Sequence, residues 1–307
     1  IKKGDSQNSQ KPIEGTSNNS TLGSEIAWPH QSPLGSFPRG TGAGDCLHRI
    51  LERISFSESL KGSKNTNVIE EELFRTGLDI NLRNIIQDGL SRVLSTSLGG
   101  PLGDLRLGQL SESNRIHELK FDLPIAHNGK NIRSLDLANA FLKSPNARFG
   151  SKYHEQLVSL NFSCRGFLTG SIDLIFPDHE DPNQARWWLA DWKSNWIGSH
   201  NEKDNVADCG PLHYNDEAME NQMVHHHYPL QAHLYLVALH RFLEWRLPNY
   251  NPINHLGGYI YIFLRGVPGA KIQAERPHTH KVPGLIIEQA PIDRIIELDR
   301  LLQEGGK

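Results

Sequence analysis

Apolar residues recur at helical spacing over 43–55, where Cys46, Leu47, Ile50, Leu51 and Ile54 form one stripe and His48 lies beside it. A turn at 38–41 (PRGT) precedes this helix. Further helices are predicted over 67–77 and 80–96, the second stopped by Gly99-Gly100, with a loop over 101–113. The period then changes. Residues 117–125 (HELKFDLPI) alternate as a strand, 135–142 read as a short helix, and 157–162 as another strand. Residues 166–176 (GFLTGSIDLIF) and 187–196 (WWLADWKSNW) are rich in β-branched, aliphatic and aromatic side chains. The polar loop 177–185 makes them two arms of a hairpin. Residues 200–222 read as a polar connector with six acids and one lysine. Pro229 suits the first turn of a helix running to about Arg246. Residues 256–264 (LGGYIYIFL) are a buried strand, and 291–303 a closing amphipathic helix. This order predicts an α/β domain whose mixed central sheet is flanked by helices.

Composition changes that picture at one end. Residues 1–24 are dominated by Ser, Asn, Gly and Lys and lack bulky apolar groups, so burial cannot offset the entropy of ordering them. They read as a flexible linker, and 25–307 as the folded domain. The first residue is Ile1, which points to a fragment of something longer. Hydrophobic residues make up 37% of the 307 positions and the mean hydropathy is −0.49, as expected for a folded body diluted by polar segments. The net charge of −3 excludes a protein that coats nucleic acid by charge alone. No apolar window is long enough for a membrane span, and no signal peptide is recognisable. Three cysteines, far apart, exclude a disulfide framework and a four-cysteine metal site from this chain. Free thiols suit a reducing cytoplasm. The run His225-His226-His227 cannot turn three rings toward one ion from a helix, so it reads as a solvated helix surface.

The chemistry lies in the hairpin. Asp191 and Lys193 are two apart on one strand and share a face, and the register can bring Asp173 alongside. Two carboxylates and a lysine within apolar strands are costly unless compensated. A divalent cation held by the carboxylates compensates them, with the lysine free to stabilise charge growing on a phosphate. A cross-strand salt bridge is the plainer alternative. Gln231 and Tyr235, spaced i, i+4, share a face of the following helix.

Together with GSID at 170–173 and DWKSNW at 191–196, this resembles the PD-(D/E)xK nuclease superfamily. Five blocks narrow the resemblance: FPRG at 37–40 with Leu47-His48, GFLTGSID at 166–173, DWKSNW at 191–196, YPLQ at 228–231 with Leu234-Tyr235, and GG at 257–258 with FLRGV at 263–267. In that order they are similar to the C-terminal nuclease domain of the RecB subunits of exodeoxyribonuclease V.

The resemblance implies a restriction-endonuclease-like fold and Mg²⁺-dependent hydrolysis of DNA, with Mn²⁺ able to substitute. His48, Asp173, Asp191 and the Trp192 carbonyl would be the metal ligands. Lys193 would be the catalytic lysine and Glu118 a further active-site acid. Gln231, Tyr235 and Tyr228 would line the DNA path, although both tyrosines also suit a core. Arg265 would either contact phosphate or pair with a carboxylate. The implied parent is an ATP-driven helicase–nuclease subunit, working with two other subunits in double-strand-break repair and recombination. ATP would bind only its upstream helicase region, since no GxxxxGK[ST] occurs here. A catalytically inactive nuclease fold, used for DNA binding or subunit docking, and a stand-alone endonuclease are the alternatives.

Overall fold

The computed structural model describes residues 26–126, 130–181, 184–201, 206–276 and 281–306. The linker expected over 1–24 lies outside them. Three helices come first: α1 (Thr41–Arg53), α2 (Ser63–Thr76) and α3 (Arg83–Ser95). Then follow β1 (Ile116–Ile125), β2 (Ile132–Arg133), α4 (Ser134–Phe141), α5 (Ser151–Ser159), β3 (Ser163–Cys164), β4 (Gly166–Pro177) and β5 (Trp187–Lys193). A short ribbon, β6 (Ser199–Asn201) and β7 (Val206–Asp208), leads to α6 (Asp216–His225), α7 (Tyr228–Arg246) and α8 (Pro252–His255). The chain closes with β8 (Leu256–Phe263), α9 (Ala270–Ala274), β9 (Leu285–Gln289) and α10 (Ile292–Glu304). Among the described residues no helix is long and apolar enough to cross a membrane.

The central sheet has five strands in the order β1-β4-β5-β8-β9. It is mixed: β5 and β8 pair in parallel, and every other neighbour is antiparallel. A parallel pair needs a crossover, and α6 and α7 supply it. The fold class read from the sequence is therefore the one observed.

Each face of the sheet has its own core. On β8, Tyr259, Tyr261 and Phe263 pack with α4, α5, α7 and α10, while Ile260 and Ile262 pack with α1, α2 and α3. All eight residues of β8 are buried, as expected for a strand covered on both faces. On β5, Trp188, Ala190 and Trp192 join the α1–α3 core. The period of two then turns Leu189, Asp191 and Lys193 toward α7.

Three expectations are corrected. Residues 157–162 do not form a strand; α5 covers 151–159 and buries Tyr153 and Leu157, one turn apart, while Val158 and Leu160 stay exposed. The connector 200–222 contains α6, capped by the Asn215 side chain on the Ala218 amide and anchored by Met219 and Met223. The histidine run is not one helix surface. His225 ends α6, and His227, in the left-handed region at φ +56°, starts α7. Smaller differences concern boundaries: the second hairpin strand stops at Lys193, three residues early.

Candidate active site

The site forms where the ends of several elements meet. Gly40 at φ +105° makes the turn into α1, a conformation a side chain would strain. Gly44 then lets α1 close on the chain leaving β5: a Cβ there would stand 2.8 Å from Ser194 Oγ. One turn on, His48 Nδ1 lies 3.5 Å from Asp173 Oδ2. The same oxygen accepts the Trp192 amide at 2.8 Å, a side chain taking the place of a ladder carbonyl. The hairpin therefore brings Asp173 beside 191–193.

Lys193 is surrounded. Its Nζ lies 2.5 Å from Asp191 Oδ2, donates to Gln231 Oε1 at 3.2 Å, and sits 4.0 Å from the centre of the Tyr228 ring and 5.0 Å from that of Tyr261. The Tyr261 hydroxyl donates to the same Gln231 oxygen at 2.9 Å, and the Gln231 amide donates to the Tyr235 hydroxyl at 3.0 Å. The α7 pair expected from i, i+4 spacing thus fixes the ammonium from behind.

Burial pushes the Asp191 carboxyl up to about 6, opposed by the charge of Lys193. Its Oδ2 is inaccessible and, despite the ion pair, accepts no aligned hydrogen bond. Burial would lower the His48 imidazole, but the hydrogen bond and charge of Asp173 outweigh it and hold the ring above its ordinary value. Burial pushes the Tyr235 phenol up to about 12, so it stays protonated.

A cleft of about 530 Å³ opens over this cluster, lined by His48, Glu118, Trp192, Lys193 and Tyr228 among others. Glu118 interrupts β1 at φ +50° and accepts the Ser171 hydroxyl at 2.7 Å. Gln231 and Tyr235 stand behind Lys193 and are not part of the lining. Among the described residues, no three His, Cys, Asp or Glu side chains are gathered tightly enough to enclose an ion by themselves.

Arg265 is not in the cleft. It is 1% exposed, and its guanidinium donates to the carbonyls of Ser194, Leu34, Phe37 and Pro38 at 2.7–2.9 Å. Both expected roles are therefore corrected: it meets neither phosphate nor carboxylate, because main-chain oxygens occupy it.

Sequence reasoning missed Tyr261, whose signal was alternation in YIYIF at 259–263. It also missed Asp45, Arg49 and Glu52, which line the cleft with His48. Their spacing of three, four and seven along α1 marks one helix face.

No protein-family model matches the chain. Curated relatives do. The RecBCD enzyme subunit RecB of Mycobacterium tuberculosis is 33% identical over 288 residues, covering 89% of this chain and 25% of that protein. RecB of Mycolicibacterium smegmatis is 30% identical over 281 residues, 88% of this chain and 24% of that protein. RecB of Escherichia coli is 32% identical over 260 residues, 81% of this chain and 19% of that protein. The chain thus spans about a quarter or less of the length of these relatives. With the motif order and the mixed sheet, these matches establish that the chain belongs to the RecB family.

Proposed function

We propose that this chain is the nuclease domain of a RecB-type helicase–nuclease subunit and hydrolyses DNA phosphodiester bonds with a divalent cation. The observation that carries the reading is the convergence of His48, Asp173, Asp191 and Lys193, from three separate elements, in one cluster, of which His48 and Lys193 line the cleft above it.

In kind the donors suit an ion, although His48, Asp173 and Asp191 are not drawn together tightly enough to enclose one by themselves. Two carboxylates, one imidazole and the Trp192 carbonyl form an oxygen-rich donor set suited to Mg²⁺ and Mn²⁺. The buried Asp191 Oδ2, without an aligned hydrogen bond, has the acceptor capacity that such an ion uses. When bound, the ion supplies charge neutralisation at the scissile phosphate and a more acidic water.

The chain's own residues do the rest. Lys193 stabilises charge growing on the phosphate oxygens, and its fixed position means little reorganisation during the reaction. Gln231, Tyr261 and Tyr228 keep the ammonium in place. Asp173 holds the Trp192 amide and so the backbone beside the reacting phosphate. Glu118 adds a carboxylate at the cleft wall, able to accept a proton.

Kinship with RecB supports a role in DNA repair and recombination within a RecBCD-type assembly. The partners would be an upstream helicase region of the same subunit and two further subunits. ATP would serve that helicase region.

The test is cleavage of labelled single- and double-stranded DNA by the 307-residue chain in Mg²⁺, Mn²⁺ or Ca²⁺ and in excess chelator. Cleavage in Mg²⁺ and Mn²⁺, weak turnover in Ca²⁺ and none in chelator are expected. Undiminished cleavage in chelator contradicts the proposal.

A further inference from the structure

Arg39 is two residues before Thr41, which lines the cleft, and is not itself part of the lining. It is exposed, yet its guanidinium carbon lies over the Trp196 ring, 3.4 Å from the ring centre, and that indole is next to the lining residue Asn195. His200 flanks the pair: its Nε2 is 3.5 Å from Arg39 Nη1, and its ring centre is 5.1 Å from that of Trp196. Among the described residues Arg39 has no carboxylate partner. An exposed arginine ordinarily loses rotamer entropy when it grips a ligand; one already stacked on an indole has lost much of it beforehand.

The buried arginine explains why this pair holds together. Arg265 donates to the carbonyls of Leu34, Phe37 and Pro38 on one side and of Ser194 on the other. It therefore ties the segment leading directly into Arg39 to the segment leading into Trp196. Two pieces of chain far apart in sequence are pinned together two residues or fewer from the stacked pair.

The balance of charge favours a further cation. The chain carries a net charge of −3, and three acids, Asp45, Glu52 and Glu118, line the cleft against two cations, Arg49 and Lys193. Lys193 is already paired with Asp191. A polyanion reaching this cleft meets more acid than base in its lining, and Arg39 adds a guanidinium beside it.

We infer that Arg39, stacked on Trp196, is a preorganised phosphate-binding fork that grips a non-scissile phosphate of the DNA strand entering the cleft, and that Arg265 is the positioning residue that aligns it. The inference rests on the nuclease reading for the identity of the ligand. Arg39 contacts backbone rather than base, so it contributes affinity and register without sequence preference.

The experiment measures equilibrium binding of a fluorescein-labelled single-stranded oligonucleotide to the 307-residue chain in Ca²⁺, from about 50 to about 200 mM salt. For Arg39→Ala we expect a weakening of about tenfold at low salt, equal for different sequences, and a salt slope reduced by about 0.7, the value for one phosphate contact to a single strand. Arg39→Lys keeps most of the slope but less of the affinity, because an ammonium cannot form the fork. Trp196→Leu removes the stacking face, and weakens affinity with the slope retained. An unchanged affinity and slope in Arg39→Ala overturns the inference. The two readings fail separately. A wild-type chain that binds with the expected slope but never cleaves in Mg²⁺ refutes the hydrolytic role and leaves the fork supported. Cleavage by the wild type with an Arg39→Ala slope equal to wild type does the reverse.

Discussion

Two cations flank the chain where it leaves β5, and they are held in opposite ways. Arg265 is sealed in and satisfied by four main-chain carbonyls. Lys193, with 11% of its side chain accessible, is held by side chains: a carboxylate, an amide and two aromatic faces. Backbone carbonyls neither titrate nor move independently of the fold, so a charge spent on them is architecture. A charge balanced by a buried carboxylate at the wall of a cleft is available for chemistry. The two sites sit within a few residues of each other, and sequence alone gives both as a basic residue next to a strand end.

The sharpest way to break this contrast is at Arg265. Arg265→Ala should cost about 3 kcal/mol or more of unfolding free energy, since it strips the donor from four carbonyls and each buried acceptor left unsatisfied costs about 1–3 kcal/mol. Arg265→Lys should recover little, since an ammonium cannot reach four carbonyls in that geometry. Urea unfolding monitored by tryptophan fluorescence measures both; a loss under about 1 kcal/mol would make Arg265 ordinary.

Lys193→Ala should show the opposite profile, with cleavage lowered by roughly 10²-fold or more and secondary structure retained. It should also push the Asp191 carboxyl further up, because the charge opposing its burial is gone. Single-turnover cleavage and circular dichroism report the two properties. A Lys193→Ala chain that unfolds like Arg265→Ala would erase the distinction.

A third buried cation, Arg294, faces a titratable acceptor and gives the contrast a pH axis. His233 accepts from Arg294 Nη1 on Nε2 at 2.8 Å, with Nδ1 facing the Pro229 carbonyl at 2.6 Å. Burial first, and the Arg294 charge second, push His233 down to about 3. Burial likewise pushes His117 down to about 4. Both are neutral in the folded chain above those values and protonate near 6.5 when unfolded. Stability is therefore full above pH 6.5 and lost as pH falls toward 4 and 3. His233 should cost about 2 kcal/mol between pH 7 and pH 5, and the partly buried His117 less. His233→Gln should remove its own share of that slope. An identical slope in the variant would show that His233 is not the titrating group.

The smallest effect is expected at Gln231. Gln231→Ala removes one hydrogen bond to Lys193, about 1.5 kcal/mol, and should slow cleavage about tenfold; it also removes those with Tyr261 and Tyr235, so unfolding is measured beside the rate. An unchanged rate would mean that the ammonium is fixed by Asp191 and the tyrosine faces alone.

These residues also show what could be read in advance. The strand period placed Asp191 and Lys193 on one face because alternation is a rigid rule, and the hairpin delivered Asp173. His48 was legible only through the order of motifs, since helical spacing puts it beside an apolar stripe without saying what it meets. Arg265 was misread because a sequence carries charge but not the identity of surrounding acceptors. Helix α6 was missed because its polar composition masked a cap at Asn215 and two methionines one turn apart. The strand expected at 157–162 failed because Leu157 pairs with Tyr153 at helical spacing, a signal lying outside that window. Arg39 and Trp196 meet only through tertiary closure.

The central claim is that the buried pair Asp191 and Lys193 serves hydrolysis of DNA. Asp191→Ala, matched to wild type by circular dichroism, tests it most directly in a Mg²⁺-dependent assay on end-labelled single-stranded DNA. The account predicts product from the wild type and none above background from the variant. Cleavage by a folded Asp191→Ala chain at the wild-type rate would contradict it.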